Sequence, residues 1–166
     1  MKSFSTLLTL LLLSYGTADA VTAGKAADTS PDVEGVQPLE IVRSEVGRFD
    51  VSESGEVVFV PTTTIPLKAG QSYGWVMLLR TSKGKVTWRE EFTLPEAPET
   101  WDEAEPDSVR SISDDRRVAV TMQEVAPDEG VIFHSWTVAP GDPSGRYVIR
   151  VIVDGALEQV FEFEVE

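Results

Sequence analysis

The chain has 166 residues, with 28 acidic against 14 basic side chains, one histidine and no cysteine. A net charge of −14 at pH 7 repels phosphate backbones and anionic headgroups, which sets nucleic acid aside as a partner. The absence of cysteine removes disulfides, thiol nucleophiles and thiolate metal sites, and a single histidine removes a multi-histidine zinc site.

The first twenty residues read as a secretory signal peptide. Lys2 supplies the positive start, Leu7 to Leu13 is apolar apart from Thr9, and Ala18-Asp19-Ala20 places small residues at the cleavage positions. The run is too short for a stable membrane-spanning helix, which takes about 20 apolar residues. No later stretch approaches that length, so no membrane insertion of the mature chain is expected. Export to the periplasm or the medium follows as the expected location. Residues 21–35, rich in Ala, Thr, Asp, Ser and Pro, bury too little to offset ordering and read as a flexible leader.

From Val36 the pattern changes to short apolar runs with a period of two, separated by Gly, Pro and Asp. Tyr73 to Leu79 is apolar on both faces and suits a central strand. Val86, Trp88 and Phe92 share one face, with Thr87, Arg89 and Glu91 on the other. Val118, Val120 and Met122 alternate with Ala119, Thr121 and Gln123, and the first set is expected inside. Tyr147, Ile149, Val151 and Val153 form another such face, as do Leu157, Phe161, Phe163 and Val165. Asp154-Gly155 between the last two runs predicts a tight hairpin, because both centres of a type I′ turn need positive φ. Ser82-Lys83-Gly84, Ser113-Asp114-Asp115 and the run from Gly141 to Gly145 mark further turns. The stretch Leu94 to Asp107 carries Pro95, Pro98 and Pro106 among carboxylates, and reads as a long acidic connection crossing from one sheet to the other.

The catalytic inventory is thin. His134 alternates in phase with Ile132, Trp136 and Val138, which suits a histidine held inside by a hydrogen-bond partner; no Gly-x-Ser-x-Gly elbow is present. Asp102, Glu103 and Glu105 stand close together, but the EF-hand spacing is absent and Pro106 restricts the backbone, so no metal is assigned. Trp75, Trp88 and Trp136 fall in strand phase and read as core. Trp101 lies in the polar stretch, where two roles are open: a ring offered to a ligand, or a cap folded over the core. Thr62, Thr63 and Thr64, between Pro61 and Pro66, have hydroxyls that either meet a ligand or bond the adjacent backbone.

Gly47-Arg48-Phe49, then Thr63-Thr64-Ile65-Pro66, Gly70 and Tyr73-Gly74-Trp75 occur in that order, followed by Trp136, Tyr147 and a terminal Phe-Glu-Phe-Glu-Val strand. This set resembles an uncharacterised family of small exported bacterial β-sandwich domains, a domain of unknown function. The resemblance covers most of Gly47 to Val165. It implies a bacterial, periplasmic setting and transfers no catalytic residue. The Gly145-Arg146-Tyr147 stretch is also shared with immunoglobulin-like sandwiches.

The expectation is therefore an all-β protein: a signal peptide over 1–20, a leader over 21–35, and a single antiparallel immunoglobulin-like β-sandwich of about eight or nine strands over 36–166. The expected function is a non-enzymatic exported interaction module for a protein or glycan partner, without cofactor. Its candidate contact residues are Trp101, Asp102, Glu103 and Glu105 in the acidic stretch, and Thr62, Thr63 and Thr64. The alternatives are a carbohydrate-binding module using Trp101 and Trp75, and a hydrolase built on carboxylates with His134.

Overall fold

The computed structural model describes residues 38–101 and 106–166. The signal peptide, the leader, and Asp102, Glu103 and Glu105 lie outside the described residues.

Every regular element among the described residues is a strand, as the period of two predicts. In chain order they are β1 (Glu40–Val51), β2 (Val57–Pro61), β3 (Thr64–Ile65), β4 (Ser72–Arg80), β5 (Val86–Thr93), β6 (Ser108–Ile112), β7 (Val118–Val125), β8 (Val131–Thr137), β9 (Gly145–Val153) and β10 (Leu157–Val165). They form a four-stranded sheet in the order β2-β1-β4-β8 and a six-stranded sheet in the order β3-β10-β9-β5-β7-β6. Ten strands exceed the eight or nine expected. Pro61 and Pro66 cut the ladder of β3 to two residues, and it lies parallel to the end of β10, with Thr64 opposite Glu164 and Ile65 opposite Val165. The six-stranded sheet is thus mixed at that edge and antiparallel elsewhere.

The strand cores follow the alternation. In β4, Tyr73 to Met77 is buried without a break: Tyr73, Trp75 and Met77 join the core between the sheets, and Gly74 and Val76 on the outer face lie between β1 and β8. Trp75, Trp88, Tyr147 and Phe92 fill the space between the sheets, with Phe161 and Phe163 beside them. Asp154 and Gly155 have φ of 51° and 69°, which makes the β9–β10 hairpin the type I′ turn that Asp-Gly favours. On the outer face of the four-stranded sheet, Gly47 and Gly74 stand directly opposite each other. A Cβ on Gly74 would run into the His134 carbonyl, and one on Gly47 into the Val60 carbonyl. The rings of Phe59, Phe49 and Phe133 lie over this glycine floor, with centroids 5.1 Å and 5.9 Å apart in succession.

Two expectations are corrected. The phase of β7 is inverted: Ala119 and Thr121 are fully buried and Met122 is 44 % exposed. The register explains it, since Ala119 opposes Phe92 and Thr121 opposes Glu90 on the inner face of β5, where only small side chains fit beside those larger ones. The acidic connection does not cross between sheets. β5 and β6 belong to the same six-stranded sheet, on either side of β7, so the connection joins two strands of one sheet.

Candidate functional site

The inner face of β5 places a charged residue where the alternation calls for an apolar one. Glu90 shares the phase of Val86, Trp88 and Phe92 and is 0 % exposed. A carboxylate so placed needs donors, because burying it unpaired costs several kcal/mol. The facing sheet supplies them. The indole N–H of Trp75 on β4 donates to Oε2 at 2.5 Å, and that of Trp136 on β8 donates to Oε1 at 2.7 Å. His134 Nδ1 lies 3.0 Å from Oε2. Indoles only donate, so facing an ionised Glu90 the His134 Nδ1 carries a proton and donates as well. Thr121 and Arg110 extend the cluster: Arg110 Nε donates to Thr121 Oγ1 at 3.2 Å, and its guanidinium lies 4.4 Å above the Trp136 ring. Trp88 packs against His134, centroids 4.9 Å apart, and its Nε1 is enclosed without a hydrogen-bond partner.

This arrangement pins one sheet to the other through polar contacts. It pairs a histidine with an orienting carboxylate, as a general base would require. Ser135, the hydroxyl next to His134 in the chain, points to the opposite face of the sheet and cannot act as its nucleophile. Among the described residues, no group of three or more His, Asp or Glu side chains is placed to hold a metal.

Of the residues singled out from sequence, Trp101 and the three threonines lie on opposite flanks of the sandwich. Trp101 folds back over the β5 and β8 end: its ring meets Phe92 and Trp136 edge-on at 6.1 and 5.8 Å, and its Nε1 donates to the Arg116 carbonyl at 3.0 Å. The depression beside it holds only about 20 Å³. Thr62, Thr63 and Thr64 flank β10, at the far edge of the six-stranded sheet. Thr62 Oγ1 donates to the Thr64 carbonyl at 3.2 Å and accepts from the Thr64 amide at 3.1 Å, so its hydroxyl closes a local turn. Thr62 and Thr63 rim an open groove of about 530 Å³ with Val160 and Phe161. A third depression, about 270 Å³, lies between β7 and the free edge of β8, with Gln123, Val125, Asp128, Phe133 and His134 on its walls.

Glu90 was missed from sequence, although its parity with Trp88 and Phe92 was the available signal. Two perturbed groups lie elsewhere. Burial pushes the Tyr147 hydroxyl well above the usual tyrosine range, helped by the Asp142 carboxylate. That hydroxyl donates to the Pro143 carbonyl four residues upstream, at 2.7 Å. Lys83 and the Thr87 amide hold the Asp154 carboxyl below the usual range.

Two facing β-sheets around an aromatic core, with a tyrosine at the start of a late strand bonded back to the preceding turn, define an immunoglobulin-like β-sandwich. An immunoglobulin-like protein from Pseudomonas aeruginosa, solved by crystallography, matches at a TM-score of 0.56 and 20% identity, over 78% of this chain and 98% of that one. An alkylpurine DNA glycosylase from Pseudomonas fluorescens, bound to DNA with an abasic-site analogue, matches at a TM-score of 0.37 and 12% identity, over 74% of this chain and 30% of that one; a likeness this weak carries no argument. No curated protein sequence matches the chain. The profile of the PM0630 beta sandwich domain family matches residues 44–166, and the chain belongs to that family.

Proposed function

We propose that the domain is a non-enzymatic interaction module that works outside the cytoplasm and binds a protein partner through sheet edges and loops. The observation that carries the reading is the free edge of the four-stranded sheet. Among the described residues β8 closes that sheet on one side with no strand beyond it, and Phe133 is half exposed. The polar centre supports the non-enzymatic part, since both Glu90 oxygens are already engaged by donors from the opposite sheet. A protein partner is favoured over a glycan, because Trp75 is fully buried and the Trp101 N–H is committed to a backbone carbonyl. The acidic surface selects against anionic partners.

The test is titration of the purified exported protein with basic peptides, acidic peptides and neutral glycans, followed by amide NMR shifts. The reading expects saturable binding of a peptide, with shifts on β8, at Thr62–Thr64 or in the stretch from Glu96 to Asp107. Changing Asp102, Glu103 and Glu105 together to their amides should keep the fold and weaken a basic peptide that contacts that stretch. Chemical turnover of any probe, lost in a folded His134→Ala variant, would refute the reading in favour of a hydrolase.

A further inference from the structure

We infer that β8 accepts an extended segment of a basic partner protein as a fifth strand of the four-stranded sheet. The inference rests on the interaction-module reading and names its site and partner chemistry. Backbone geometry sets the edge. Leu79 N donates to Gly130 O and Val138 N donates to Gln71 O, which frame the β4–β8 ladder. In this register the even-numbered residues of β8 exchange their hydrogen bonds with β4, and the odd-numbered ones direct N–H and C=O away from it. Val131 spends its pair on Asp128. Phe133, Ser135 and Thr137 have no backbone partner among the described residues, so three donors and three acceptors point outward in one row.

The other edges are blunted and this one is not. β2 ends in Pro61, β6 is five residues long and carries Arg110, and β3 is two residues long. β8 runs seven residues, Val-Ile-Phe-His-Ser-Trp-Thr, without proline, Asp, Glu, Lys or Arg and without a bulge, and its His134 turns inward. The two sheets are also unequal. β8 lies over β5, as the contacts of His134 and Trp136 with Glu90 show, while the six-stranded sheet continues past it to β7 and β6. Trp101 covers one end of that overhang. The other end is the depression of about 270 Å³ beside Val125 and Gln123. A strand laid about 4.8 Å outside β8 would face that space with its inward side chains and the Phe133 ring with its outward ones.

Charge selects the occupant. Asp128 stands at the rim of the depression, and its carboxylate has no hydrogen-bond or ionic partner among the described residues. The net charge of −14 disfavours a second copy of this chain and favours a segment bearing lysine or arginine next to small aliphatic residues.

The experiment uses the exported protein and a heptapeptide probe, acetyl-Lys-Val-Thr-Val-Thr-Val-Lys-amide. Saturable binding is expected, with slowed hydrogen exchange at the amides of Phe133, Ser135 and Thr137. N-methylation of alternate probe residues should abolish binding. Replacing the lysines by glutamate should weaken it about tenfold or more at low salt. Ser135→Pro removes an outward N–H and leaves the β4 ladder intact, so it should lose the probe; Ser135→Ala should keep it. If the proline variant does not fold, the N-methylated probe decides alone. Unchanged exchange at the three amides, or indifference to N-methylation, overturns the inference. So does concentration-dependent dimerisation of the protein through β8, which would make a second copy the occupant. A peptide whose footprint falls instead at Thr62–Thr64 or Glu96 to Asp107 overturns the β8 site and leaves the interaction-module reading standing.

Discussion

Removing the Glu90 carboxylate tests what joins the two sheets. Glu90→Leu leaves three buried donors without an acceptor: Trp75 Nε1, Trp136 Nε1 and His134 Nδ1. Each buried unsatisfied donor costs about 1–3 kcal/mol, so the gross loss is about 3–9 kcal/mol. The leucine recovers about 1–3 kcal/mol by burying apolar surface. The expected net loss of about 4 kcal/mol is a large part of the roughly 5–15 kcal/mol that holds a typical domain folded. With a urea m-value of about 2 kcal/mol/M, the unfolding midpoint should fall by about 2 M, read by circular dichroism at pH 7. The combined variant Glu90→Leu, Trp75→Phe, Trp136→Phe, His134→Leu removes donors and acceptor together. It should recover most of the loss, because replacing a whole buried polar network by apolar groups is often close to neutral. A single Glu90→Leu change that costs less than about 1 kcal/mol would refute the reasoning, since the three N–H groups would then have found other acceptors.

Four further outcomes are expected. Gly74→Ala should destabilise by about 1–3 kcal/mol or more in urea unfolding, because its Cβ meets the His134 carbonyl of the neighbouring strand. Gly155→Ala, with open space around it and φ of 69°, should cost only the backbone penalty of about 1–2 kcal/mol. Trp101→Ala should lower stability by about 2 kcal/mol in the same assay, since the ring packs on Phe92 and Trp136; an unchanged midpoint would restore Trp101 as a free ligand platform. Asp154 has its folded pKa lowered, first by Lys83 and then by the Thr87 amide, so its stabilisation is present above the ordinary carboxylate range and is lost as pH falls through the folded pKa. Comparing wild type with Asp154→Asn, which keeps the turn preference, should show a stability gap at pH 6 that closes in acid; a gap independent of pH would contradict the assignment.

The fold was legible wherever one strand decided its own phase. β9 and β10 bury the residues that alternation marks, β4 is buried without a break from Tyr73 to Met77 as its unbroken apolar run implies, and Asp154-Gly155 closes the hairpin its chemistry requires. β7 was not legible, because its phase depends on its neighbours. Val118, Val120 and Met122 are the more apolar set, yet Ala119 and Thr121 go inside because Phe92 and Glu90 already fill the layer next to them. Strand order was out of reach for the same reason. The acidic stretch from Leu94 to Asp107 has the composition of a connection, but composition does not say whether β6 joins the sheet that β5 left or the one opposite.

The candidate site divides along the same line. The single histidine in phase with Ile132 and Trp136 already implied a held imidazole, and the partner that holds it is Glu90, from a different strand and the other sheet. Parity alone marks Glu90 as inward, but accepting a carboxylate there requires knowing that two indoles and an imidazole converge on it. Those donors lie 15, 44 and 46 residues away in the chain, a distance at which sequence pattern says nothing about contact. The same dependence makes the β8 edge invisible from sequence. Val131 to Thr137 reads as an ordinary strand, and it is the sheet order that shows one side of it without a neighbour among the described residues. Among the described residues the sandwich thus spends its one buried carboxylate, Glu90, on holding the sheets together and leaves unspent backbone hydrogen bonds on the β8 edge, which is why the proposed recognition is tested along that edge and not in the core.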